Sequence, residues 1–206
     1  MLGAIRTAGS RAYGSLQRSV QRFLLTTIHP DPWMRYRFAV PVHAYGAGSR
    51  HPFSWYFSGS LSDSVRSIDD VRQWVLDCDY ARDVDQFDAV DYWQHPLLFE
   101  RKRVGDCEDF SLWTWRRLVE LGYDAEFVAG WIQSDDCTRV GHTWVMLRDG
   151  DEALLFDPVI REPERVVMPL EALEERYIPH VSVDRALQGF VYGGYYTALS
   201  DRWNGR

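Results

Sequence analysis

Between residues 106 and 158 the spacing of apolar positions changes once, from helical to alternating. Phe110, Trp113, Leu118 and Leu121 form one apolar stripe, and Leu112, Trp115 and Val119 form another. A helix that is apolar on two sides is a central, buried one. Asp106 is placed to cap its start, with Asp109 at the third helical position, and Leu121-Gly122 ends it. Three strand patterns follow: AEFVAGWI (125–132), HTWVMLR (142–148) and EALLFDP (152–158). Upstream, Ser67-Ile68-Asp69-Asp70 reads as a capped helix start running to about Cys78. Residues 31–66, rich in aromatics, Pro, Gly and Ser, predict irregular structure or short strands that wrap the domain. With no internal repeat and no linker, residues 31–206 read as one α+β domain, a central helix packed on an antiparallel sheet.

Residues 1–30 differ. They hold Arg6, Arg11, Arg18 and Arg22 but no Asp or Glu, and Leu2, Ile5, Leu16, Val20, Phe23 and Leu24 recur at roughly helical spacing. This is a basic amphipathic arm, expected to be helical. It lacks the continuous apolar core and cleavage site of a secretory signal, so a cytoplasmic location is expected, with periplasmic or organellar sites left open. The arm suits contact with the domain, a partner chain or a membrane surface. No apolar run reaches spanning length, so no transmembrane segment is expected. The formal net charge of −7 argues against nucleic acid as the main partner.

Three cysteines, at 78, 107 and 137, form no CxxC pair, which argues against a disulfide framework or a cysteine zinc site. The acidic run Asp79, Asp83, Asp85, Asp88 and Asp91 lacks EF-hand spacing and reads as a solvated, partly helical face.

Cys107 sits between Asp106 and Glu108 at a helix start, an odd place for a packing residue and a sensible one for a reactive thiol. A helix N-terminus favours the thiolate. Downstream come His142 and then Asp157, the types needed for a base and its orienter. Asp149-Gly150 is a strong hairpin signal between the last two strands. A turn centred there puts His142 directly opposite Asp157, with Cβ atoms about 4.5–5.5 Å apart. Against activation, the two flanking acids by themselves raise the thiol pKa, an objection that a bound cation would remove.

The stretch from GDCEDFSLWTWRRL through GHTWVMLRDGDEALLFDPV resembles the transglutaminase-like core, a relative of the papain-like fold. YWQHPLLFERKRVGDCEDFS is most similar to the bacterial transglutaminase-like cysteine proteinases, some of which clip cell-surface adhesins from the periplasmic side. The resemblance covers about residues 92–160. It implies Cys107 as nucleophile, His142 as base, Asp157 as orienter, and calcium at Asp106 and Glu108. Trp93 and Gln94 are candidate oxyanion donors beside the Cys107 N–H. The activity expected is thiol-dependent cleavage of an amide bond in a protein or peptide, through an acyl-enzyme. Two alternatives share these residues: acyl transfer from protein glutamine to an amine, and a non-catalytic assembly protein that keeps the fold. The chemistry itself requires no cofactor; calcium is the candidate ion.

Overall fold

The computed structural model describes residues 35–38, 48–62, 64–134, 138–172 and 176–192. The arm at residues 1–30, Cys137 and the tail beyond Tyr192 lie outside these residues. In chain order the elements are β1 (Arg35–Phe38), α1 (Ile68–Leu76), β2 (Asp79–Tyr80), α2 (Asp83–Phe87), α3 (Pro96–Lys102), β3 (Val104–Gly105) and α4 (Cys107–Glu120). They continue with β4 (Asp124–Gln133), β5 (Arg139–Asp149), β6 (Glu152–Phe156), β7 (Val167–Pro169), β8 (Tyr177–Asp184) and β9 (Gly189–Tyr192). Among the described residues, seven strands make one sheet in the order β1-β9-β8-β4-β5-β6-β7, antiparallel at every pairing. No described helix is long and apolar enough to cross a membrane.

The three expected strands are β4, β5 and β6, and the central helix is α4, which packs on β4 and β5. Its start follows from local chemistry. Asp106 and Asp109 form a reciprocal capping box. Gly105 is needed beside it, because a Cβ there would sit 2.4 Å from Asp109 Oδ2. Ser67 caps α1 as expected, accepting the Asp70 N–H at 3.1 Å.

Phe110, Leu112, Trp113, Trp115 and Leu118 of α4 are fully buried, joined by Ala125 and Phe127 of β4 and Val145 of β5. Each fully buried Leu or Phe contributes about 1.5–3 kcal/mol. The Trp113 ring stacks on Trp74 of α1 at 3.6 Å between centroids. From the wrapping segment, Phe53 packs edge-on against Trp115 and also meets Phe127. The opposite face of the sheet buries a second cluster: Val128, Trp144, Met146, Leu155, Leu170, Tyr177 and Tyr192.

The pattern of α4 did not foretell its buried arginines. Arg116 donates from Nη1 to the carbonyls of Tyr56 and Ser58, both at 2.9 Å, and to Glu120 Oε1 at 2.7 Å from Nε. Arg117 donates to Glu100 Oε1 at 2.7 Å and to the Ser62 carbonyl at 2.5 Å. These bonds fasten residues 56–62 to the central helix. They compensate two cations that would otherwise be costly to bury.

Candidate active site

The β5–β6 turn is not centred on Asp149-Gly150. Asp149 pairs with Glu152, so Gly150-Asp151 is the two-residue loop, with Gly150 at φ 59°. Glycine at the first central position is the pattern of a type II′ turn, which draws Asp149 into the ladder. The register therefore slips by two residues from the expected one, and the regular pairing ends at Val145 with Phe156. His142 is not directly opposite Asp157. A slip of two keeps both on one face, as diagonal neighbours about 7–8 Å apart, within reach of these side chains.

The contact forms. His142 Nε2 lies 2.9 Å from Asp157 Oδ2. Asp157 also accepts from the Tyr177 hydroxyl at 2.7 Å and from the Val159 N–H at 3.2 Å. Burial would raise the pKa of this carboxyl, but His142, Tyr177 and Val159 hold it below its ordinary value. An ionised carboxylate only accepts, so His142 Nε2 carries the hydrogen. In the neutral imidazole Nδ1 is then the acceptor, the state a base requires.

Cys107 opens the first turn of α4 and is half-buried. With His142 it lines a cleft of about 370 Å³, together with Trp93, Glu108, Thr143 and Trp131 among others. Its thiol donates to Glu108 Oε2 at 3.2 Å. Burial pushes the thiol well above its ordinary value, and the charges of Glu108 and Asp106 push it further, against a smaller opposing bond with Thr143. With no cation beside it, the thiol is protonated at neutral pH.

The flanking acids belong to a larger cluster. Carboxylate oxygens of Asp83, Asp106 and Asp109 lie within 4.8 Å of one another, as do those of Asp83, Asp91 and Glu108. The acidic run is thus only partly a solvated face. Asp79, Asp85 and Asp88 are exposed, but Asp83 is 2% exposed and Asp91 is half-buried. Asp83 is held by the Tyr92 N–H, and Asp91 by the Gly48 N–H and the Trp93 indole, both at 2.9 Å. Burial and the neighbouring charges push Asp83 up to about 6, and burial raises Asp106, Glu108 and Asp109 too. Among the described residues, Asp83 Oδ1 and Asp106 Oδ1 are buried without a hydrogen-bond partner. Converging carboxylates with orphaned oxygens are a donor set that fits a hard cation such as calcium.

Trp93 lines the cleft. Gln94 is fully buried, its backbone N–H on Asp109 Oδ1 at 2.7 Å and its side-chain amide on Asp109 Oδ2 and the Val104 carbonyl. The amide hydrogens of Gln94 thus hold the start of α4. Sequence reasoning did not single out Thr143, Tyr177, Asp83 or Asp91 for the site. Thr143, next to His142, carried the only local signal.

No family model matches the chain, and no curated protein does. Among solved structures it is similar to Legionella pneumophila LapG, at 19% identity and TM-score 0.47, over 66% of this chain and 71% of that one. EGTA-treated LapG from the same organism gives 20% and 0.43, over 55% of this chain and 60% of that one. Calcium-bound LapG gives 20% and 0.43, over 55% and 61%. The chain thus spans about 60% of the length of the first two of these structures.

Proposed function

We propose that this chain is a thiol-dependent peptidase of transglutaminase-like type, cleaving an amide bond in a protein or peptide through an acyl-enzyme. The observation that carries the reading is the hydrogen-bonded His142–Asp157 pair beside the cleft onto which Cys107 opens at a helix start. In this reading His142 Nδ1 takes the Cys107 proton, and the sulfur attacks the carbonyl carbon. The C–N bond breaks as the imidazolium returns the proton to the leaving amine. Water, deprotonated by His142, then attacks the thioester, and the thiol leaves. Asp157 and Tyr177 hold the imidazole in its working tautomer. The Cys107 N–H at the helix start is the proposed oxyanion donor, and the Trp93 ring, its indole N–H bonded to Asp91, walls the cleft.

Asp83, Asp91, Asp106, Glu108 and Asp109 are the residues that would hold calcium. Bound there, calcium would neutralise the charges that keep the Cys107 thiol protonated. The chain's own part is to gather these carboxylates at the helix start, through Tyr92, Gln94 and Gly48.

The test is a proteome-derived peptide library incubated in calcium, with new N-termini read by mass spectrometry. Wild type should create them; Cys107→Ser should not, and His142→Ala should lose activity by at least 10²-fold. An added primary amine reports transfer in the same experiment as a mass-shifted acyl product. No cleavage and no transfer by the calcium-loaded wild type would overturn the reading.

A further inference from the structure

The helix-facing row of β4 is Ala125, Phe127, Ala129 and Trp131. Ala125 and Phe127 are fully buried, but Trp131, farther along the row, stays 37% exposed. Two backbone features leave its indole open. Across the ladder its partner is Gly141, where an added Cβ would meet no described residue within 4 Å. On the other side, the β4–β8 register shifts between Ala129 and Gly130. Ala129 pairs with Val181 and Gly130 with Pro179, so His180 is the extra residue of a bulge. Bulges beside active sites re-aim a side chain. Here the exposed His180 ring lies 5.0 Å from that of Trp131, centroid to centroid.

Trp131, His180 and Val181 line the same cleft as Cys107 and His142. The acids of that cleft are already engaged: Asp91 by Gly48 and Trp93, and Glu108 by the Cys107 thiol. The surface left for an incoming side chain is mostly aromatic and apolar, with Trp93, Ala129, Trp131 and Val181 on it. An indole face of this kind gains most from covering another aromatic or bulky apolar group.

Resting on the peptidase reading, we propose that Trp131 and His180 form a specificity platform. It holds an aromatic or bulky apolar side chain of the substrate peptide next to the bond attacked at Cys107. Trp131 supplies the contact area, and His180, placed by the bulge, walls its open side.

Dipeptidyl acyloxymethyl ketones carrying Phe or Ala at either position are the probes, with alkylation of Cys107 followed by intact mass in calcium buffer. Iodoacetamide measures thiol reactivity alone. In wild type, Phe at one of the two positions should speed labelling about 10-fold over Ala. Trp131→Ala should cut that preference to about 2-fold, Trp131→Phe should keep most of it, and His180→Ala should lower it, with iodoacetamide rates unchanged in all three. Both positions are exposed, and thermal midpoints near wild type confirm folding. Equal labelling by the Phe and Ala probes, or a preference that survives Trp131→Ala and His180→Ala, overturns the platform alone. Iodoacetamide labelling with no labelling by any ketone overturns the peptidase reading and the platform with it.

Discussion

Asp83 is the most telling position to perturb. Burial, reinforced by Asp106 and Asp91, pushes its carboxyl from an ordinary 3.8 up to about 6. A carboxyl with a raised folded-state pKa costs stability once ionised. As pH rises, the unfolded chain gives up this proton first, so stability falls from about pH 4 to about pH 6 and stays low above. Glu108 and Asp109, also raised by burial, extend the loss upward. Asp157 runs the other way, because its lowered pKa stabilises above its unfolded value and is lost in acid. Between pH 5 and 7 Asp157 is silent, whereas His95, held below its ordinary value by burial, titrates there in the opposite sense, and comparing wild type with Asp83→Asn cancels it. The rise from 3.8 to about 6 corresponds to about 3 kcal/mol at most. Water near the open cleft and sharing of the proton with Asp106 and Glu108 reduce it to about 1.5 kcal/mol.

Asp83→Asn removes the charge and keeps the shape. In chelator at pH 7 the variant should be more stable by about 1.5 kcal/mol, or about 3–6 °C in thermal midpoint for a domain of this size. At pH 5 the gain should shrink. Calcium should reverse the order: at 100 times its Kd it stabilises wild type by about 2.7 kcal/mol, and the variant should lose most of that. Calorimetric melts at pH 5, 6 and 7, with and without calcium, read all of this. An Asp83→Asn protein that is less stable than wild type at pH 7 in chelator, yet gains as much from calcium, would refute the reasoning.

Calcium should also speed iodoacetamide labelling of Cys107 at pH 7.5 by about 10-fold, by lowering the thiol pKa. Cys78, pushed up to about 12 by burial, should stay unlabelled in peptide maps. Gly130→Ala would place a Cβ 2.2 Å from the Ile178 carbonyl and 2.9 Å from Pro179 Cα, so urea unfolding should show a loss of about 1–3 kcal/mol. Gly141→Ala has open space and should cost under about 1 kcal/mol in the same assay. Arg116→Met strips the donors from the Tyr56 and Ser58 carbonyls, and about 3–5 kcal/mol should be lost in denaturant melts.

The parts of this molecule legible in its sequence are those set by neighbours in the chain. The start of α4 follows from Asp106 and Asp109 three residues apart, and β4, β5 and β6 follow from alternation. What was missed depends on distant partners. In β8 the pattern of Tyr177 to Asp184 is broken by Pro179 and the bulge at His180, and its ladder is made with β4, far back in the chain. Asp83 and Asp91 look like Asp79, Asp85 and Asp88 in composition. N–H groups brought by Tyr92, Gly48 and Trp93 distinguish them. Arg116 reads as a surface charge until the carbonyls of residues 56–59 arrive to bind it.

The His142–Asp157 contact separates two kinds of sequence information. Turn chemistry, read as Asp149-Gly150, gave a register that the structure does not adopt, because glycine prefers the first central position here. Alternation put the two side chains on one face, and that survived, although the row they share with Trp144, Met146 and Leu155 is the one away from α4. A slip of one residue would have sent Asp157 to the far side of the sheet from His142. A slip of two turned a direct pair into a diagonal one, and the 2.9 Å bond still closed. Register here depends on the chemistry of a two-residue loop, whereas facing depends on every buried side chain along the strand. Trp144, Met146 and Leu155, buried on the far side of the sheet from α4, together hold the parity that keeps the base beside its carboxylate.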